Sequence, residues 1–231
     1  MEIVMHKYAI IVAAGTGTRM GGELPKQFQL LKGKPVLWYS VKAFTDSYDD
    51  VQLILVLPEN HLEKGEQLAK EFPSHHIHVI VGGDTRFRSV KNGLSLVKVP
   101  SIVFVHDGVR CLVSSGLIKR CYQQAVEKGS AIPAVTAIDS IRIVENGSHF
   151  IKDRQHVRII QTPQTFLSEI ILPAFEQEYS NVFTDEATVV EAHGTTVFLT
   201  EGEYDNIKIT RPVDMTIAER ILEERSALKE T

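Results

Sequence analysis

The stretch "YAIIVAAGTGTRMGGELPKQF", Tyr8 to Phe28, decides the fold. It opens on an apolar, largely aliphatic run over Tyr8–Ala13, the pattern of a strand buried on both faces. It then breaks into glycines and carries two spaced cations, Arg19 and Lys26. A dinucleotide-binding turn needs GxGxxG and an acidic residue about 20 positions on, at the end of the second strand. Met20 stands near the place of the third glycine, and the second apolar run ends far downstream at Leu57-Pro58-Glu59. A P-loop needs GxxxxGK[ST], and no Gly-Lys-Ser/Thr occurs in the chain. The loop is therefore of a third kind. Its small residues let backbone N–H groups approach an anion, and Arg19 and Lys26 supply charge suited to a triphosphate whose charge grows during reaction.

Outward from this loop, strand-like and helix-like segments alternate. Helical spacing covers Pro35–Thr45, a strand is expected at Val51–Leu57, a helix at His61–Phe72 and a short strand at His78–Val81. A helix follows at Arg88–Val97, a strand at Ile102–Val105 and a helix at Ser115–Lys128. This rhythm predicts an α/β fold: a Rossmann-like, mostly parallel sheet with helices on both faces. After Ala131 it changes. Ala131–Ala137 and Ser140–Val144 read as strands, and Asn146-Gly147 is a hairpin turn signal. The simplest reading is a protruding β-arm at about 138–158, an interaction element because a lone hairpin is marginal in water. Beyond an extended piece leading to Thr162-Pro163, helices are expected near Ser168–Glu178 and Asp185–His193. A strand at Thr196–Leu199 and a helix from Pro212 to about Leu228 complete one domain over residues 1–231.

The 231 residues are 43% hydrophobic and 23% charged, with a net charge of −4. That is enough apolar material for a full core, and the balance argues against a sequence-blind nucleic-acid binder. Cys111 and Cys121 fit neither a zinc ribbon nor a CxxC pair and are expected as reduced thiols. No membrane-length apolar run occurs, and the N-terminus lacks the pattern of a signal peptide. The expectation is a soluble, cytoplasmic chain that binds neither membrane nor nucleic acid.

Ligands of open α/β sheets collect at the carboxyl ends of strands, near a topological switch point. Three loops gather there: Gly15 to Met20 with Lys26, Gly82-Gly83-Asp84-Thr85-Arg86 with Arg88 and Ser89, and His106-Asp107-Gly108-Val109-Arg110. Asp107 could hold Mg²⁺, an ion content with one carboxylate plus phosphate oxygens and waters, or it could cap the turn that follows. His106 reads as structural, since no Ser or Cys partner for a triad is evident. In "YDNIKITRPVDM", Lys208 lies in a strand-like segment between Ile207 and Ile209. Alternation would aim it away from both isoleucines, toward the cleft from a sheet edge.

Taken in order, "AAGTGTRM…PKQF", "GGDTRFRSV", "VHDGVR", "DR…TPQTF", "TDEA" and "DNIKITRP" resemble the 2-C-methyl-D-erythritol 4-phosphate cytidylyltransferase family and cover nearly the whole chain. The related ribitol-5-phosphate cytidylyltransferases usually read AGG where this chain has Ala13-Ala14-Gly15, and tend to lack an Arg after the Thr corresponding to Thr210. The resemblance implies a nucleotidyltransferase that uses CTP, a sugar phosphate and Mg²⁺. It implies that Ala13, Ala14 and Gly15 hold cytosine and phosphates, and that Gly83, Asp84 and Ser89 line the base pocket, smallness at Gly83 excluding a purine. Asp107 and Gly108 would meet the ribose, with Asp107 also on the metal. Arg19, Lys26 and Lys208 would be the catalytic cations. Arg110, Ser140, Arg154, Thr162, Thr184 and Lys208 would bind the sugar phosphate. The arm carrying Ser140 and Arg154 would cross to a second subunit, giving a homodimer with shared sites. Where the family usually continues Arg-Pro, this chain has Arg110-Cys111, which removes a residue that would stiffen the loop. Two alternatives stay open: another polyol phosphate as acceptor, or a nucleotide-binding regulatory module without turnover.

Overall fold

Along the central strands, successive side chains feed two separate apolar layers. A computed structural model describes residues 5–15 and 24–228. Its elements are β1 (His6–Val12), β2 (Leu30–Leu31), β3 (Lys34–Pro35), α1 (Val36–Thr45), β4 (Val51–Leu57), α2 (Leu62–Ala69), β5 (Ile77–Val81), α3 (Arg86–Leu94) and β6 (Ser101–Asp107). There follow α4 (Ser115–Lys128), β7 (Ser130–Thr136), β8 (Ile141–Glu145), β9 (Ser148–Lys152), β10 (Arg158–Ile160), β11 (Gln164–Leu167), α5 (Ser168–Ala174), α6 (Glu186–Ala192), β12 (Leu199–Glu201) and α7 (Pro212–Ala227).

Ala9, Ile11, Leu53, Leu55, Ile102 and Phe104 point to one layer, where Leu37, Val41 and Phe44 of α1 and Leu117, Ile118 and Cys121 of α4 cover them. The alternate residues Tyr8, Ile10, Ile54, Val56, Val103 and Val105 meet Phe87 and Val90 of α3, Ile171 of α5 and Val190 of α6. Period-two alternation with both faces apolar is what a sheet between two helical layers requires. A smaller third cluster docks Ala218 of α7 on Leu31, Val36, Val109 and Leu112.

The eight-stranded sheet runs β10-β7-β11-β6-β1-β4-β5, with β12 on the other side of β7. β1, β4, β5 and β6 are mutually parallel in the pairs they form. The chain steps outward from β1 to β5, then α3 carries it back over the opposite face so that β6 lies beside β1. That reversal is the switch point anticipated from sequence, and it places the ends of β1, β5 and β6 together. The expected fold class stands, with local differences. Sequence periodicity missed β11, which inserts antiparallel between β6 and β7; Gln164 and Thr165, both buried, hide its apolar signature. The helix expected to reach Glu178 stops at Ala174, one residue after Pro173. The strand expected over Thr196–Leu199 lies at Leu199–Glu201. Lys208 is not in a strand; its segment is tied by the Ile209 N–H, which donates to the Val109 carbonyl at 3.0 Å.

The arm is a hairpin with a sheet of its own, pairing Ile141 with Lys152 through to Glu145 with Ser148. Asn146 and Gly147 have φ of 48° and 78°, the left-handed pair that a two-residue turn demands. Cys111 and Cys121 are free and buried, and burial pushes each thiol up to about 12. Among the described residues no helix is long and apolar enough to cross a membrane.

His106, near the end of β6, is fully buried and packs edge-on against Phe44 at 5.4 Å. Its Nε2 lies 3.2 Å from the Arg110 carbonyl and its Nδ1 lies 3.0 Å from Thr162 Oγ1. A carbonyl only accepts, so Nε2 carries the proton and the Thr162 hydroxyl donates to Nδ1. Burial pushes His106 down to about 4, so the ring is neutral when folded, whereas unfolded histidine titrates near ~6.5. The unfolded chain therefore binds more protons between those values, and stability should fall as pH drops through that window, by about 3 kcal/mol from this group. Urea unfolding from pH 7 to pH 4 should show this slope, and His106→Gln should flatten it; equal slopes in the two proteins would refute the burial argument.

Candidate active site

The first wall of the site is the loop leaving β1. The Ala13 N–H still reaches the Val56 carbonyl, 2.9 Å away, and the chain then turns free of the sheet. Gln27, buried beneath it, donates from Nε2 to the carbonyls of Ala13 and Gly15 at 2.7 and 3.1 Å. Phe28 anchors the same short turn in the core. Between them, the loop's two ends are fixed while Lys26 stands at the rim, its Nζ donating to the Ile209 carbonyl at 2.9 Å. Arg19, the other cation expected here, lies outside the described residues.

The second wall follows β5. Thr85 caps α3, its Oγ1 accepting from the Arg88 N–H at 3.1 Å. Ser89 Oγ accepts from the Gly83 N–H at 3.0 Å and donates to the Thr85 carbonyl at 2.9 Å. The loop is thus folded onto the first turn of its own helix. A Cβ at Gly83 would come within 2.4 Å of Arg88 Cβ, so this packing demands glycine there whatever ligand is bound. Asp84 is ion-paired with Arg88.

The floor is Asp107 at the end of β6, 6% exposed. Arg86 Nη1 holds one of its carboxylate oxygens, Lys208 Nζ meets the other at 2.8 Å, and Arg110 Nε lies 3.7 Å away. Thr162 Oγ1 accepts from the Asp107 N–H at 3.0 Å. Burial works to raise the Asp107 pKa, but Arg86, Lys208 and Arg110 outweigh it and hold the carboxyl well below the usual range. Arg86 is shared: its Nη2 lies 2.8 Å from Glu186, which is 1% exposed. Burial pushes Glu186 up against the pull of Arg86, while burial disfavours the Arg86 charge and the two carboxylates more than restore it.

These walls enclose a cleft of about 400 Å³. Ala13, Ala14, Gly15, Lys26, Gly83, Asp84, Ser89, Asp107 and Lys208, all singled out from sequence, line it together with Gln27, Thr85, Arg86 and Val109. Gly108 sits behind the wall, where a Cβ would meet Leu37 and Ala13 side chains at 2.8 and 2.9 Å. Arg110 and Thr162 lie just beneath: Arg110 donates to the Asn206 and Ile160 carbonyls at 2.7 and 3.3 Å, and Thr162 is engaged by His106 and Asp107. Ser140, Arg154 and Thr184 are not among the cleft-lining residues. Arg154 donates to the Ile138 carbonyl within its own arm. Where the family pattern has proline, Cys111 is buried with Val36, Leu112 and Ile209, so core packing steadies the loop in its place.

Sequence reasoning passed over Arg86, Gln27 and Glu186 as functional residues. All three lay inside quoted motifs, but a buried carboxylate a hundred positions from its guanidinium leaves no local pattern. Lys208 reaches the cleft as expected, exposed beside the buried Ile209, although from an irregular segment.

Known proteins resemble this chain in sequence and fold. The family model described as "IspD: 2-C-methyl-D-erythritol 4-phosphate cytidylyltransferase" matches residues 7–224. A 2-C-methyl-D-erythritol 4-phosphate cytidylyltransferase from Bacteroides fragilis is 44% identical over 220 residues, covering 94% of this chain and 100% of the relative. One from Porphyromonas gingivalis is 41% identical over 218 residues, covering 94% and 97%. Among solved structures, the 4-diphosphocytidyl-2C-methyl-D-erythritol synthase from Anaerococcus prevotii superposes with a TM-score of 0.82 at 27% identity, covering 95% of this chain and 99% of that one. With its motifs in order, its switch-point cleft and relatives matched over nearly their whole length, the chain belongs to the 2-C-methyl-D-erythritol 4-phosphate cytidylyltransferase family.

Proposed function

We infer that this chain transfers CMP from CTP to 2-C-methyl-D-erythritol 4-phosphate, releasing pyrophosphate and forming 4-diphosphocytidyl-2-C-methyl-D-erythritol for isoprenoid-precursor synthesis. Family membership carries the acceptor's identity and favours it over ribitol 5-phosphate. The observation that carries the chemistry is the cleft, where Lys26, Lys208 and Arg86 converge beside Asp107. That gathering of cations favours turnover over a non-catalytic nucleotide-binding module.

A phosphate oxygen of the acceptor attacks the α-phosphorus of CTP in line; one P–O bond forms as the bond to pyrophosphate breaks. The attacking phosphate is already anionic, its second pKa being ~6, so the chain has no proton to remove from it. The nearby side chains fit that demand. Asp107 is too strongly held by cations to act as a base, and the His106 Nδ1 lone pair is occupied by Thr162. Lys26 and Lys208, with Arg19, receive the charge that grows on the phosphoryl oxygens. Ala13, Ala14 and Gly15 face the nucleotide from one wall and Gly83, Asp84 and Ser89 from the other, with Asp107 and Gly108 toward the ribose. Thr162, Thr184 and Lys208 serve the acceptor phosphate, and Arg110, its terminal nitrogens taken by carbonyls, acts there through its charge.

Asp107 is the side chain that would hold Mg²⁺, and the fit is reasonable for an ion that keeps most of its coordination for phosphate oxygens and waters. Among the described residues no group of three or more His, Cys, Asp or Glu could cage a metal, so the nucleotide would supply most of the ligands. When bound, the ion neutralises part of the triphosphate charge.

The arm supports a homodimer. Every residue of β9 is exposed, and Val144 and Ile151 are each 72% exposed. A hairpin with that much apolar surface calls for a covering partner. A second copy of this chain would receive Ser140 and Arg154 at its acceptor site.

Pyrophosphate release with CTP, Mg²⁺ and each candidate acceptor tests the reaction; turnover with ribitol 5-phosphate and none with the methylerythritol phosphate would overturn the acceptor. Lys26→Ala should lower kcat at least ~100-fold, the scale of one lost transition-state donor, and near wild-type turnover by a folded variant would remove Lys26 from the mechanism. Inactive Arg154→Ala and Lys26→Ala proteins, mixed under verified subunit exchange, should regain activity in the heterodimer. Mixtures that stay inactive would count against a site shared between subunits.

A further inference from the structure

The two walls of the cleft touch at a point behind it. Gly82 ends the β5 ladder, its N–H reaching the Leu57 carbonyl at 2.8 Å. Its φ lies outside the left-handed region, so the backbone there would accept any residue. Space is what excludes a side chain: a Cβ on Gly82 would lie 2.3 Å from the Ala14 methyl, 3.0 Å from Ser89 Oγ and 3.4 Å from a Val56 methyl. Ala14 belongs to the first wall and Ser89 to the second, whereas Gly82 itself does not line the cleft.

We propose that Gly82 is a specificity-determining residue for the nucleotide, because its missing side chain lets the first loop seat against the second and so sets the gap between Ala14 and the Gly83–Ser89 wall. The proposal rests on the assignment of these two loops to the cytosine of CTP. A methyl at 82 must part the loops by about 1 Å to reach ordinary contact with Ala14. A gap matched to a one-ring base then fits it poorly and rejects a two-ring base less strongly. Position 83 differs in kind: a Cβ there strikes Arg88 of its own helix at 2.4 Å and disturbs one loop, not the spacing between two.

The severe overlap, at 2.3 Å, is with one methyl group, so removing that methyl should relieve most of the clash and leave only the closer approach to Ser89 Oγ. Affinities for CTP and ATP, measured by calorimetry with Mg²⁺, are compared for the wild type, Gly82→Ala, Ala14→Gly and the double variant, alongside turnover with the acceptor. Gly82→Ala should lower the preference for CTP over ATP at least about tenfold, the scale of a one-methyl misfit in a binding pocket. In the Ala14→Gly background the same change should cost less than about threefold. If Gly82→Ala fails to fold, the comparison of the double variant with Ala14→Gly decides alone: a folded double variant with the preference of Ala14→Gly supports the proposal. An unfolded double variant, or an equal loss of preference in both backgrounds, overturns it, as does a folded Gly82→Ala with wild-type preference. A wild type that binds CTP no tighter than ATP would instead remove the cytosine assignment itself.

Discussion

A single carboxylate at the end of a fully buried strand sets the terms for the rest of the site. Asp107 closes β6, every residue of which is buried, and a carboxylate in such a place would take up a proton unless cations stood against it. Three do, and they come from different parts of the chain: Arg86 opens α3, Arg110 lies in the same loop, and Lys208 precedes the final helix. The charge on Asp107 is therefore kept in this buried place only once α3 has crossed the sheet and the C-terminal segment has docked. Asp214 secures that docking, its Oδ2 accepting from the Thr210 N–H, the Thr210 hydroxyl and the Arg211 N–H at 2.8–2.9 Å. Lys26 adds the last tie, to the Ile209 carbonyl. The site is thus a consequence of long-range closure added to loops that are locally folded.

Arg86 explains why a second carboxylate is buried nearby. Its side chain lines the cleft, where an untethered guanidinium would turn toward any phosphate that entered. Asp107 and Glu186 grip its two terminal nitrogens from opposite sides, which fixes the plane of the group. Glu186 opens α6 directly after Asp185, whose side chain caps that helix by accepting from the Thr188 N–H at 2.9 Å. Buried Gln164 ties the same turn to β11, donating to Asp185 at 3.0 Å and accepting from the Ala187 N–H at 2.8 Å. The segment carrying Thr184 is connected in this way to the floor of the nucleotide cleft.

What was legible in the sequence was whatever depends on local periodicity. β1, β4 and β6 announce themselves because both faces are apolar, and the three glycine-bearing loops fall at the ends of β1, β5 and β6 because parallel strands share a direction. The Asn146-Gly147 turn was legible because few residue pairs accept its backbone angles. β11 was not, since the interior polar residues Gln164 and Thr165 are satisfied by partners that a sequence does not display. Lys208 was read correctly as pointing opposite to Ile209 and incorrectly as part of a strand, because alternation of burial needs only an extended chain. Glu186 sits in a quoted motif, yet its meaning depends on Arg86, a hundred residues away and visible only after folding.

Charge balance bears on the role proposed for the arm. The chain carries a net −4, and the cleft gathers several of its cations in one place. Within the cleft, Arg86 is already offset by Asp107 and Glu186, and Lys208 rests on Asp107. Bringing CTP and a sugar phosphate together sets two polyanions side by side, and their repulsion rises as water is excluded. Lys26 lines the cleft beside the two loops assigned to the nucleotide. In the proposed acceptor site, a lone chain would offer Lys208 and a half-buried Arg110 whose terminal nitrogens are committed to carbonyls. Arg154, on an exposed arm where it donates to its own Ile138 carbonyl, is the further cation that the proposed pairing would bring. In the proposed homodimer, the exposed apolar surface of the arm and the need of the cleft for positive charge would be met together by a second copy of the chain.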